Sequence, residues 1–208
     1  AGTILDTVYA APPGVALNFK LAPNDSLLLL KTYEDCAEGT SIYTFYDRYL
    51  KMPLPDTVTV DDARGIPLHE TVWSPDSRKV IVLTRWGSRE DAFVYDRVAK
   101  DTSYIDRGTN FVWSPSDRNR VAYIKDLSIY TKDLVTGEVE LIYKGKRKKS
   151  VTRFRWNPTG EFLMVYVKRY FLNIEAAPTA NITVFYLSME DLSESKTYFG
   201  EMRLDTWK

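Results

Sequence analysis

The 208-residue chain has one cysteine, Cys36, and one histidine, His69. A single thiol excludes an intrachain disulfide, and one Cys with one His leaves no ligand set for zinc. Net charge is missing as well. The 28 Lys and Arg balance 28 Asp and Glu, so no global field points to nucleic acid or an acidic membrane. Apolar runs near the start are short: Val15-Ala16-Leu17 is far below the roughly 20 residues of a membrane span. Membrane insertion is therefore not expected. No basic n-region with an apolar h-region opens the chain. Gly-x-Gly-x-x-Gly, Walker and Gly-x-Ser-x-Gly patterns are all absent, and no helical periodicity is long enough to form a helical layer. These absences leave no catalytic residue, metal or cofactor to assign.

What the chain has is aromatic side chains, 13% of all residues, and a repeated turn. Aromatics suit strands. Trp73-Ser74-Pro75-Asp76-Ser77 is echoed by Trp113-Ser114-Pro115-Ser116-Asp117 and Trp156-Asn157-Pro158-Thr159-Gly160. A degenerate copy, Leu21-Ala22-Pro23-Asn24-Asp25, lies upstream. Pro fixes φ and donates no hydrogen bond, and the neighbouring Asp, Asn or Ser bonds the local backbone, so each copy reads as a hairpin turn. Single acids spread over separate turns do not converge as a metal site would. The recurrence makes the motif architecture.

The tryptophan position recurs at intervals of 52, 40, 43 and 51 residues from Leu21 through Trp73, Trp113 and Trp156 to Trp207. Four short strands per interval predict an all-β chain of propeller blades. The repeats span about 15–60, 67–105, 109–143 and 151–199, with partial strands at 4–9 and 201–207. Segment 47–55 reads as irregular, Thr136-Gly137 as a tight hairpin, and 168–179 as a loop. Trp73, Trp113 and Trp156 are expected to be buried in equivalent positions.

Trp-Ser-Pro-Asp-Ser followed by Val80-Ile81-Val82 and Phe93-Val94-Tyr95-Asp96 resembles the TolB-like propeller repeat. Its pattern is a Ser-Pro-Asp-Gly turn, a strand, and an apolar strand ending in Asp. The likeness covers residues 15–200 and is strongest in the second and third repeats. Glycine closes the turn only at Gly160, Ser77 replaces it in the best copy, and Leu21 replaces tryptophan in the first. The Trp-Asp dipeptide of WD-type repeats is absent. The resemblance implies a protein partner and a periplasmic or cell-surface setting. It also implies more blades than four. Residues 1–208, read as a single propeller domain or propeller segment, are therefore expected to be a piece of a larger propeller or part of a ring completed by another chain. A small closed ring that uses the end strands is the alternative. An incomplete ring would offer blade edges for association.

Propeller functions sit on loops. The most charged stretch runs from Lys144 through Lys146, Arg147, Lys148 and Lys149 without an acid. With Lys168, Arg169 and Tyr170, and with Arg85, Trp86 and Arg89 in another loop, it forms the candidate partner-binding face. Trp86 flanked by two arginines suits an interface anchor. The plainer reading is a solvated inter-blade loop that discourages edge aggregation. His69 sits in a strand approach and fits packing. Cys36 lies in an acidic loop that raises a thiol pKa, which disfavours a catalytic thiol. Sequons at Asn24 and Asn181 matter only on a glycosylating route. A non-enzymatic scaffold for protein–protein interaction is the leading expectation. An accessory propeller of a prolyl oligopeptidase-like peptidase is the first alternative, and polyanion or nucleic-acid binding through residues 144–149 the second.

Overall fold

The computed structural model describes residues 16–33, 40–61, 71–86, 89–147, 149–170, 180–190, 192 and 195–199. All are strands, turns or loops, and none of the described residues is helical. The partial end strands, Cys36, His69, Lys148 and Trp207 fall outside the described residues. The chain divides into two compact units, Ala1–Arg107 and Gly108–Lys208.

The first unit holds two four-stranded antiparallel sheets. One is β1 (Ala16–Leu21), β2 (Leu27–Tyr33), β3 (Thr40–Asp47) and β4 (Met52–Asp61). The other is β5 (Val72–Trp73), β6 (Lys79–Trp86), β7 (Arg89–Asp96) and β8 (Asp101–Arg107). In the second unit β9 (Thr109–Trp113), β10 (Arg120–Lys125), β11 (Ser128–Asp133) and β12 (Val139–Tyr143) form one sheet. Its companion is β13 (Lys149–Trp156), β14 (Phe162–Tyr170), β15 (Ala180–Ser188) and β16 (Ser195–Phe199). Strands are hydrogen-bonded in chain order in every sheet, the up-and-down meander of a propeller blade.

The repeated motif closes the first hairpin of each sheet. Ala22, Ser74 and Asn157 each donate their N–H to the carbonyl five residues on, at Leu27, Lys79 and Phe162, at 2.9 Å. The fifth motif residue then takes positive φ: Asp25 at 59°, Ser77 at 60° and Gly160 at 78°. That explains the family's glycine at this place, since only glycine enters the left-handed region without cost. The third copy is one residue longer. Ser114 reaches Arg120, and Asp117 needs no positive φ.

The aspartate ending the third strand in the first three sheets folds the next turn, whereas β15 of the fourth sheet ends in Ser188. Asp47 Oδ1 accepts the N–H groups of Tyr49 and Leu50, Asp96 those of Val98 and Ala99, and Asp133 those of Val135 and Thr136, all at 2.7–3.1 Å. Lys51, Lys100 and Gly137 complete these turns at φ of 54°, 56° and 77°. The connection at Thr136-Gly137 is therefore a five-residue loop from Leu134 to Glu138, wider than the tight hairpin expected. Segment 47–55 is also more regular than expected. Strand β4 begins at Met52 and passes through Pro53 and Pro55. As an outer strand paired only with β3 it tolerates missing N–H donors.

Packing follows strand alternation. In the first unit Leu27, Leu29, Tyr43 and Phe45 meet Trp73, Val80, Val82 and Tyr95. The Phe45 ring stacks on Tyr95 at 5.6 Å and meets Trp73 edge-on at 5.7 Å. Leu28, Leu30 and Tyr46 cluster on the other face, so β2 is apolar on both sides. That accounts for the unbroken Leu27–Leu30 run. In the second unit Ala122, Ile129 and Ile142 pack against Phe154, Leu163, Val165, Val167 and Leu187.

Each motif tryptophan ends the first strand of its sheet, but their burial differs. Trp73 is 6% exposed and Trp113 4%, whereas Trp156 is only half-buried beside the second unit's core. Equivalent burial therefore holds for two of the three. The fourth sheet's first strand shows Thr152, Arg153 and Arg155 to solvent, which leaves its tryptophan at a more open edge.

Candidate recognition surface

Most of the candidate partner-binding residues lie at the strand ends opposite the motif turns. The structure places Arg85 and Trp86 at the end of β6 and Arg89 at the start of β7, where Trp86 and Arg89 form the last cross-strand pair. They belong to strand ends and not to a wide loop, because the hairpin pairing continues to Trp86. Nearby, Asp91 of β7 accepts the Tyr104 hydroxyl at 3.2 Å and lies 3.5 Å from the Arg107 guanidinium. Burial first, then the hydrogen bond to Asp91, raises the Tyr104 pKa above the usual phenol range.

Lys168, Arg169 and Tyr170 likewise extend β14 instead of opening a loop, paired with Ile182, Asn181 and Ala180 of β15. Lys149 opens β13 opposite Arg169, and Ser150 lies opposite Lys168. The register therefore brings Lys149 of the basic run beside Lys168 and Arg169. Lys144, Lys146 and Arg147 are exposed in the β12–β13 connection. Arg85, Trp86 and Arg89 belong to the first unit and the remaining candidates to the second.

The sequence does not reveal what holds this connection. Gly145 lies so close to the β10–β11 turn that an added Cβ would sit 1.8 Å from the Leu127 carbonyl oxygen. Its N–H donates to Ser128 Oγ at 3.1 Å. Asp126 and Leu127 form that turn with φ of 48° and 66°. Two-residue hairpins of this kind favour Asn-Gly, and Asp126-Leu127 departs from that pattern. Leu127 is instead a turn corner, 40% exposed.

The motif acids serve turns. Asp76 Oδ1 accepts the Ser74 hydroxyl at 2.6 Å and the Arg78 N–H at 3.1 Å. Among the described residues no three His, Cys, Asp or Glu side chains gather as metal ligands, and no helix is long and apolar enough to cross a membrane.

The sheets and their turns define the class: this is a β-propeller fold, built of four-stranded blades. More specifically, it is similar to TolB-like propellers. It matches TolB from Acinetobacter baumannii with TM-score 0.53 at 10% identity, over 92% of this chain and 45% of that one. The β-propeller domain of the Trilobed protease from Pyrococcus furiosus matches with TM-score 0.61 at 11% identity, over 93% of this chain and 59% of that one. Dipeptidyl peptidase 4 from Porphyromonas gingivalis matches with TM-score 0.59 at 13% identity, over 95% and 34%. The chain thus spans about half the length of the first two and a third of the last. No protein-family model and no curated protein matches it.

Proposed function

We propose that this chain is a non-enzymatic propeller module that binds another protein through the hairpin ends of its blades. The observation carrying this reading is the register pairing of Lys149 with Arg169. The register sets two basic residues at facing positions where the basic connection enters the fourth sheet. The exposed Lys144, Lys146 and Arg147 extend the same patch, and loops on a rigid sheet scaffold are where propellers recognise ligands. A periplasmic or cell-surface setting fits the TolB likeness.

Site-specific photo-crosslinking in the full-length protein tests this reading. A crosslinker at position 147 should capture a defined protein, and one at Val135, at the opposite strand ends, should not. Equal capture at both positions, or capture only at 135, would sink the reading.

The second reading is an accessory propeller of a peptidase, favoured by the peptidase propellers among the structural neighbours. In that case a catalytic domain elsewhere in the full-length protein performs the chemistry and this segment positions or filters substrate. Labelling of the full-length protein by a serine-reactive fluorophosphonate, with cleavage of fluorogenic peptides, supports it. An unlabelled, inactive full-length protein counts against it.

A further inference from the structure

We infer that the β10–β11 turn and the connection from Lys144 to Arg147 form one docking site for an acidic polypeptide segment carrying a single apolar side chain. This rests on the binding-module reading and specifies its partner. The first observation is Leu127. A bulky residue at φ 66° is strained, yet this one stands at the turn corner with 40% of its surface exposed. Burial in the core does not explain its presence, and glycine would serve the turn better. The second observation is Gly145, which seats the basic connection against the Leu127 carbonyl and bonds Ser128. The apolar corner and the cations Lys144, Lys146 and Arg147 are thereby held side by side on neighbouring backbone. A segment with carboxylates flanking an apolar residue meets both at once.

The third observation discriminates between classes of partner. Asp126 is exposed at the adjacent corner of the same turn. Its carboxylate repels a phosphate backbone but accepts the N–H groups of a peptide. An exposed leucine adds nothing to phosphodiester recognition, and the chain's zero net charge offers no long-range attraction to a polyanion. A peptide can set its carboxylates toward the cations and a backbone N–H toward Asp126, whereas a phosphodiester backbone has no N–H to offer that carboxylate.

Fluorescence anisotropy on the purified chain provides the test. The probes are a labelled Glu-rich peptide with one central Leu, the same peptide with Ser in its place, and a labelled oligothymidylate. The Leu peptide should bind more tightly than the other two at equal salt. Lys146→Glu with Arg147→Glu should weaken it about tenfold or more, since both cations become repulsive. Leu127→Gly should weaken it several-fold while thermal stability holds or rises, because glycine relieves the turn. Unchanged affinity in Leu127→Gly would overturn the apolar anchor. Tighter binding of oligothymidylate would assign the patch to nucleic acid and overturn the proposal. If no probe binds but position 147 still crosslinks a protein, the acidic-partner inference fails and the binding module stands.

Discussion

Ser77 Oγ accepts a hydrogen bond of 2.9 Å from the backbone N–H of Asn24, tying the motif turn of the second sheet to that of the first across 53 positions of sequence. The second unit has the same juxtaposition in another form. There Gly160 takes the place of Ser77, and a Cβ on it would lie 2.2 Å from Ser116 Oγ in the preceding sheet's turn. The fifth motif residue is thus set by two demands, left-handed backbone and the neighbour's turn. Serine meets them by bonding and glycine by leaving room.

Ser77 can be separated into its two roles by paired substitutions. Ser77→Ala keeps the strained φ and leaves the Asn24 N–H without its acceptor, and should cost about 1–2 kcal/mol. Ser77→Gly loses the same bond but relieves the backbone, and should cost clearly less. Urea denaturation of both variants measures the order. Glycine as the more damaging change would refute the account.

Gly160→Ala should destabilise by about 1–3 kcal/mol, because a Cβ must enter both the left-handed region and the Ser116 side chain. Adding Ser116→Gly should recover the steric part and leave the backbone part. A double-mutant cycle reads the split, and strict additivity would show that the two turns do not touch in solution.

Tryptophan truncation should follow burial. Trp73→Ala and Trp113→Ala should each cost roughly 3–5 kcal/mol, as for other buried aromatics. Trp156→Ala should cost noticeably less, since its ring is only half-buried. Equal losses at all three positions in chemical denaturation would contradict the difference.

Acid should loosen the turns after the third strands. Burial pushes the Asp96 carboxyl up, but the N–H groups of Ala99 and Val98 and the Arg78 guanidinium outweigh it and hold the pKa below the ordinary value. The Thr136 and Val135 N–H groups, the largest influences, lower Asp133 likewise. A carboxylate with a depressed folded pKa adds stability above its unfolded pKa of about 3.9, and that stability disappears as pH falls through the folded value. Stability should therefore be flat with respect to these groups above about pH 5 and decline below about pH 4. Asp96→Asn with Asp133→Asn should make that decline shallower in melts across pH. An unchanged acid limb would remove these two groups as its cause.

Gly145→Ala should displace the basic connection, because backbone and not a movable side chain occupies the Cβ position. Hydrogen exchange at residue 145 and through the 126–128 turn should accelerate while the sheet cores stay protected. Unaltered exchange there would mean that the connection is not seated on the turn.

The sequence alone determined the blades. Alternating strands set the sheets, and Pro with Asp or Asn closed the first hairpins. The Asp ending the third strand of the first three sheets shapes the turn that follows it, because these signals act within a few residues. Local signals also explain the errors. Nothing nearby marks Pro53 and Pro55 as lying on an outer strand, or shows that pairing carries β6 to Trp86 and β14 to Tyr170. Only the tertiary structure decided those, since they depend on which strand is the neighbour. It alone set Lys149 opposite Arg169, pressed Gly145 on Leu127, and gave Ser77 the Asn24 amide as a partner. Each of these joins residues far apart in the chain, where register and close backbone approach, not residue preference, determine what meets.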